Sequence, residues 1–389
     1  MRKLKILHLA SFDGNVGDNA NHKGSRVFLR KNLGYDIEYT NLEIREFYWN
    51  IRKFDEEFVQ LSNQHDVVMI GGGNYFELWV ENSYTGTSLN LSREILEKIN
   101  SPIVFYALGC DAGQGVPEEN VLKFKAFLDY LNGSSKYLIS IRNDGSEETI
   151  KGFLGEKYLK NIYKVPDGGF FTEVEDFYHP ELPDSKKIIA VNLAGDMLDR
   201  RFCDNGRNSY IINYEQFLKD FGSLINNQLR QDAETCIVFV PHIFKDISVI
   251  ADVLQNVEDR FRRNRITVAP YLHGKNAQEY IFDLYRKCNL VLGNRFHSNV
   301  CSIGLCVPTI GLVNYPQIEK MYKELNIYER TVKINEQGFG DRLNLLINNS
   351  MADQESIKKT YGEIKTSLVD QIDRFHDVMR RWIEDNLPS

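Results

Sequence analysis

The chain has 389 residues, 42% apolar and 26% charged, with a formal net charge of −7. At roughly 150 residues per domain this length predicts two to three domains, each able to bury a core. The acidic balance argues against wholesale nucleic-acid binding but leaves room for a local cationic site for a small anion. No stretch approaches the ~18 apolar residues of a membrane span. The richest run, 301–313, is interrupted by Gly304, Pro308 and Gly311.

The basic start, Met1-Arg2-Lys3-Leu4-Lys5, resembles the head of an export signal. The apolar part behind it is only residues 6–10 and holds His8, so it reads as a first strand. The six cysteines, Cys110, Cys203, Cys236, Cys288, Cys301 and Cys306, form no C-x-x-C pair. Buried free thiols in a reducing cytoplasm fit them better than a zinc ribbon or a redox dithiol.

Short apolar runs then alternate with helical patterns. The expected strands are 5–10, 67–70, 103–108 and 137–141 in the first half. In the second they are 188–193, 236–240, 266–269, 290–292 and 309–313. Helical periodicity covers 119–131, 214–229, 247–261 and 277–288. Apolar runs between helices predict parallel sheets buried on both faces. The polar, acidic stretch 172–187, with Pro180 and Pro183, marks a boundary. The expected architecture is therefore α/β, with two doubly wound Rossmann-like domains, 1–175 and 186–345, facing across a cleft. A tail over 350–389 is read as one long helix or two packed helices reaching across the domains.

In such sheets ligands lie beyond the carboxyl ends of the strands, so the polar residues there are the candidates. After the first strand come Gly14-Asn15-Val16-Gly17-Asp18, a loop able to offer N–H donors to a phosphate or sugar, or simply to cap a helix. Gly71-Gly72-Gly73-Asn74 follow the next strand, where three glycines imply close approach of a ligand or of another backbone. Tyr75, Phe76 and Trp79 either stack on a sugar or join the core. Arg142 emerges after the fourth expected strand, as an anion ligand or as an ion-pair partner. In the second half, Pro241-His242 with Asp246 ends one strand. The strongest cluster is Gly293-Asn294-Arg295-Phe296-His297-Ser298, a planar cation and an imidazole at the start of a helix. A core role for both is disfavoured, because apolar neighbours cannot satisfy them.

Taken together these elements resemble the polysaccharide pyruvyl transferase family. The resemblance runs through Gly14-Asn15-x-Gly17-Asp18, Gly71-Gly72-Gly73, Arg142-x-x-x-Ser146, Val240-Pro241-His242 with Asp246, Arg295-x-His297-Ser298, Gly304-x-x-x-Pro308 and Tyr315. It covers about residues 5–330. The sequence departs from the family pattern after Tyr315, where Gln317-Ile318-Glu319 precede Lys320. The resemblance implies a GT-B-like fold. It also implies transfer of pyruvate from phosphoenolpyruvate onto two hydroxyls of a sugar, as a cyclic ketal, with no metal or redox cofactor. Arg295 and His297 match the element implicated in holding phosphoenolpyruvate.

That donor carries about three negative charges, which call for local cations. Arg295, His297 and Arg142, with Asn294 and Ser298, are the expected donor ligands. His297 and His242 are expected to share the proton transfers while Arg295 anchors the anion. Asn15, Asp18, Gly72, Gly73 and Asn74 are expected to hold the acceptor, a sugar or oligosaccharide, free or lipid-linked. The expected setting is cytoplasmic, in building a surface glycan such as an exopolysaccharide or capsule. The tail cations Lys358, Lys359, Arg380 and Arg381 form a solvated helix face or a peripheral contact with the inner membrane face. The alternative functions are a GT-B glycosyltransferase using a nucleotide sugar, and a non-catalytic saccharide-binding protein on the same fold.

Overall fold

A computed structural model describes residues 2–184, 186–202, 210–274 and 276–387. Cys203 lies outside the described residues; the other five cysteines are free thiols, four of them buried. The chain divides into two compact units. One holds residues 1–13, 21–168 and 367–389, the other 14–20 and 169–366. This differs in detail from the expected 1–175 and 186–345. Val16 and Ala20 pack into a core of the second unit, and the end of the tail joins the first.

The first unit is built on six parallel strands: β1 Lys3–Ala10, β2 Asp36–Glu43, β3 Val67–Gly71, β4 Ile103–Leu108, β5 Tyr137–Arg142 and β6 Ile162–Val165. Their order is β2-β1-β3-β4-β5-β6. The second unit holds β7 Lys187–Asn192, β8 Thr235–Phe239, β9 Ile266–Val268, β10 Leu290–Gly293, β11 Thr309–Val313 and β12 Thr331–Lys333. These are also parallel, in the order β9-β8-β7-β10-β11-β12.

The β-strand period of two explains the second unit's two cores. Ile189, Val191, Ile237 and Phe239 join the cluster on one face, and Ile188, Ala190, Val238 and Val240 the cluster on the other. Each run is apolar throughout because helices cover both faces. The strands absent from the sequence reading, β2, β6 and β12, are all sheet edges, where polar residues alternate with buried ones.

Two helix expectations change in detail. The pattern over 247–261 forms two helices, Asp246–Leu254 and Asp259–Asn264. Asn226, on the neighbouring helix, breaks it by donating to the Asn256 carbonyl (3.1 Å) and accepting from the Glu258 amide (2.9 Å). The tail is one helix of 33 residues, Gln354–Asn386, preceded by Phe339–Ala352. Its Tyr361 is buried against Arg330 in the second unit, and its His376 against Tyr106 in the first. No described helix is long and apolar enough to cross a membrane.

Candidate active site of the second unit

In the second sheet the strand order reverses direction between β7 and β10, and the carboxyl ends at such a switch point are where open α/β sheets bind ligands. Four strands deliver polar residues there: Asn192 and Asp196 after β7, His242 and Asp246 after β8, Asn294 to Ser298 after β10, and Asn314 after β11.

Asp246 is the hub. Its fully buried carboxylate accepts from the backbone amides of His242 (2.9 Å), Ile243 (3.2 Å) and Gly195 (3.0 Å), and from Arg295 Nε (2.7 Å). A second Arg295 nitrogen also donates to it. Burial opposes ionisation of Asp246, and Arg295 overcomes this, so its pKa falls below the usual carboxylate value. Arg295 Nη2 also lies 3.1 Å from Asp196 Oδ1. Burial works against the guanidinium charge, and the two acids more than restore it. Arg201 Nη2 reaches the same Asp196 oxygen at 3.4 Å. Two arginines thus face two aspartates, a balanced cluster. Arg295, expected as a cation that anchors the donor, thus already has its charge matched by the two aspartates.

The backbone here is fixed by asparagines. Asn192, wholly buried, accepts from the Arg295 amide (2.9 Å) and donates to the Val240 carbonyl (2.9 Å), tying β7 to its two neighbours. Asn294 accepts from the Ala194 amide (2.9 Å) and donates to the Leu312 carbonyl (2.8 Å) and to Asn314 Oδ1 (2.8 Å). It is a strand-end staple, not a donor ligand, a correction. The Ser298 hydroxyl donates to the Arg295 carbonyl (2.7 Å) in the first turn of the helix Phe296–Gly304. Its expected role on phosphoenolpyruvate is likewise replaced by a local one.

His297 stands in that same first turn, with a side chain 8% exposed. Its Nδ1 is 3.8 Å from Asp18 Oδ1, and a Cβ on Gly17 would fall 2.5 Å from His297 Cβ. The glycine at 17 therefore admits the imidazole. Asn15 Oδ1 accepts from the Gly17 amide (3.0 Å), which shapes the loop. Asn15 and Asp18 thus belong to the second unit, beside His297, which corrects their placement with an acceptor on the first domain.

His242 is buried, its Nε2 2.8 Å from the Tyr285 hydroxyl. Burial lowers its pKa to about 3 against the pull of Asp246, with Arg295 adding to the drop. It is a neutral imidazole at physiological pH, so of the two proton roles left open for the histidines it starts in the form that accepts a proton.

The remaining candidates lie in the first unit. Arg142 is 4% exposed and bound to Asp144 (2.6 Å) and Asp167 (3.3 Å), both buried. It is an interior ion pair there, one of the two alternatives the sequence left open. A Cβ on Gly72 would fall 2.8 Å from His22 Nδ1, and one on Gly73 2.3 Å from the Tyr75 ring. The Gly72 carbonyl accepts from Asn21 Nδ2 (2.6 Å). These glycines serve packing of the protein's own side chains, which replaces the expected acceptor contact. Tyr75 and Phe76 belong to the core. Asn74 Nδ2 faces Asp111 Oδ2 at 3.3 Å and Glu77 Oε1 at 3.5 Å. Half-buried Glu77 also accepts from Ser88, and burial raises its pKa to about 7 against that bond, with Asp111 adding to the rise.

Sequence reasoning missed Asn192, Asp196, Arg201 and Asn314. Asn314 follows an apolar run, the signal that singled out Arg142 and His242, while Asn192 lay inside the expected strand 188–193.

The two sheets and the switch-point cluster define a GT-B-type α/β protein. Solved structures of this fold share little sequence with it. A glycosyltransferase from Rickettsia africae is 11% identical, with 99% of this chain and 100% of that one covered and a TM-score of 0.54. A candidate UDP-N-acetylglucosamine 2-epimerase from Listeria monocytogenes is 13% identical, covering 93% and 91%, at 0.55. S. aureus MnaA with UDP is 12% identical, covering 92% and 90%, at 0.51. No curated protein matches the sequence. The profile of the polysaccharide pyruvyl transferase family matches residues 15–315, and the chain belongs to that family. It is thus a transferase of polysaccharide biosynthesis.

Proposed function

We propose that this protein moves pyruvate from phosphoenolpyruvate onto two hydroxyls of one sugar, forming a cyclic ketal and releasing phosphate. The observation that carries the reading is Arg295 and His297 together at the switch point of the second sheet, inside the family match. Phosphoenolpyruvate is an enol ester. A proton added to its methylene carbon leaves an oxocarbenium-like centre at the carbon bearing the phosphate. One sugar hydroxyl adds there and loses its proton, the C–O bond to phosphate breaks with its electron pair leaving on phosphate, and a second hydroxyl closes the ring. The sum is phosphoenolpyruvate plus diol giving ketal plus phosphate.

His297 is the proton carrier in this scheme. Asp18 Oδ1 lies 3.8 Å from its Nδ1, and the ring stands in the first turn of the helix Phe296–Gly304, which supports this reading. Arg295, whose Nε and Nη2 are held by Asp246, meets the anion in this reading through the rest of its guanidinium. The acceptor is a surface-glycan precursor met in the cytoplasm, free or lipid-linked.

Replacing His297 with Ala removes the proton carrier. Turnover then falls by about 100-fold or more while the melting temperature holds. Retention of activity within about tenfold removes His297 from the chemistry. The product mass decides the reaction: a sugar that gains a pyruvyl ketal identifies donor and chemistry together.

The UDP in the similar S. aureus MnaA structure supports a second reading, a nucleotide-sugar donor. Stabilisation in a thermal-shift assay by UDP, GDP or CMP sugars, and not by phosphoenolpyruvate, favours that reading.

A further inference from the structure

We infer that the carboxyl ends of β7 and β11 form an anion subsite whose ligand-facing groups are the Asn314 amide and the Arg201 guanidinium, and that the Asp196 carboxylate now stands in for the ligand. The inference rests on the donor reading above and names groups that hold the donor's carboxylate or phosphate.

Asn314 is 8% exposed. Its Oδ1 accepts from Arg201 Nη1 (2.9 Å) and from Asn294 Nδ2 (2.8 Å). A guanidinium can only donate, so the oxygen of the Asn314 amide must be the end that faces it. The Nδ2 at the other end is buried and has no hydrogen-bond partner among the described residues. A buried N–H without an acceptor is costly, and an incoming ligand oxygen relieves that cost.

Asp196 supplies the second, independent observation. One of its oxygens lies between two guanidinium groups, 3.1 Å from Arg295 and 3.4 Å from Arg201. This is how a bound carboxylate or phosphate edge is gripped. The two acids of the cluster differ sharply. Asp246 is wholly buried and also tied to three backbone amides, while the Asp196 side chain is 26% exposed. The next residue, Met197, has a positive φ of 52°, strained for a side chain of that size. The chain is thus bent to bring Asp196 to the arginines. A ligand anion that displaces it regains both arginine contacts and adds the Asn314 N–H that Asp196 does not reach. Arg201 has a further role as a positioning residue, holding the Asn314 oxygen so that the nitrogen points away from it.

The test is calorimetric titration of the full chain with phosphoenolpyruvate, oxalate and inorganic phosphate, in the parent, Asn314→Asp and Asp196→Asn. Asn314→Asp keeps an acceptor for Arg201 and Asn294 while replacing the N–H donor with an anion. Binding is expected to weaken about tenfold or more in Asn314→Asp and to tighten about tenfold in Asp196→Asn. Preference for oxalate assigns the subsite to the carboxylate, and preference for inorganic phosphate to the phosphate. Unchanged affinities, or weaker binding in Asp196→Asn, overturn the inference, as does failure of all three ligands to bind the parent. If Asn314→Asp does not fold, the direction of change in Asp196→Asn decides alone. Should phosphoenolpyruvate fail while inorganic phosphate or oxalate shows the expected pattern, the subsite stands and the donor reading falls. Should phosphoenolpyruvate bind all three proteins equally, the subsite falls and the donor reading stands.

Discussion

The two units end their central strands in opposite electrostatic company. In the second, Arg295 and Arg201 face Asp246 and Asp196, with His297 beside them at a helix start. In the first, Arg142 is enclosed by Asp144 and Asp167, and Glu77 and Asp111 share Asn74. One cluster is balanced and holds a buried amide N–H, that of Asn314, with no partner among the described residues. The other pairs one arginine with two buried aspartates and sets two further carboxyl groups around an amide. Strand ends in two sheets of the same kind thus carry different side-chain chemistry. Architecture locates a site, and the local charge ledger decides what it takes.

The sharpest way to break this contrast is Asp246→Ala. It leaves Arg295 without its principal buried partner and strips the acceptor from the His242 and Gly195 amides. A loss of about 3–5 kcal/mol in denaturant unfolding is expected. A loss below about 1 kcal/mol, the range of an exposed pair, shows that Asp246 is no hub.

Glu77 gives a smaller and pH-dependent effect. Its pKa is raised from 4.5 to about 7, chiefly by burial, so the folded state holds the proton more tightly than the unfolded chain. Its contribution is fully present below about pH 4.5 and is lost as pH rises through about 7. Glu77→Gln removes this slope, by at most about 3 kcal/mol between the two limits. Identical stability profiles for parent and variant over pH 4.5–8 would show that Glu77 titrates normally.

Gly17→Ala is the mildest on stability and the most selective on function. The added methyl meets His297 Cβ at 2.5 Å, with no φ penalty, so the imidazole must shift. Roughly 1–3 kcal/mol of stability is expected to go, together with turnover by about tenfold or more. Full activity with a normal melting temperature shows that the His297 position does not matter to catalysis.

Much of the fold could be read from residue order. Runs such as Val67-Val68-Met69-Ile70 and Thr309-Ile310-Gly311-Leu312-Val313 are apolar on both faces, which only a covered parallel strand explains. The edge strand Asp36–Glu43 was not legible, because one side of it pairs and the other carries polar residues that look like loop. Among site residues, the Arg295–His297 pair was legible from its place after a buried strand. The fate of Arg142 was not. Nothing near it in the chain says that Asp167, 25 residues on, lies 3.3 Å away.

The sequence by itself determined where strands stop and which side chains emerge at their ends, since burial and periodicity are local properties written into each run. Only the tertiary structure decided which of those side chains remain available to a ligand. Arg295 meets Asp246 from 49 positions away and Asp196 from 99. A charge is spent or spared by its neighbours in space, and parallel β-α-β crossovers set those neighbours far apart along the chain.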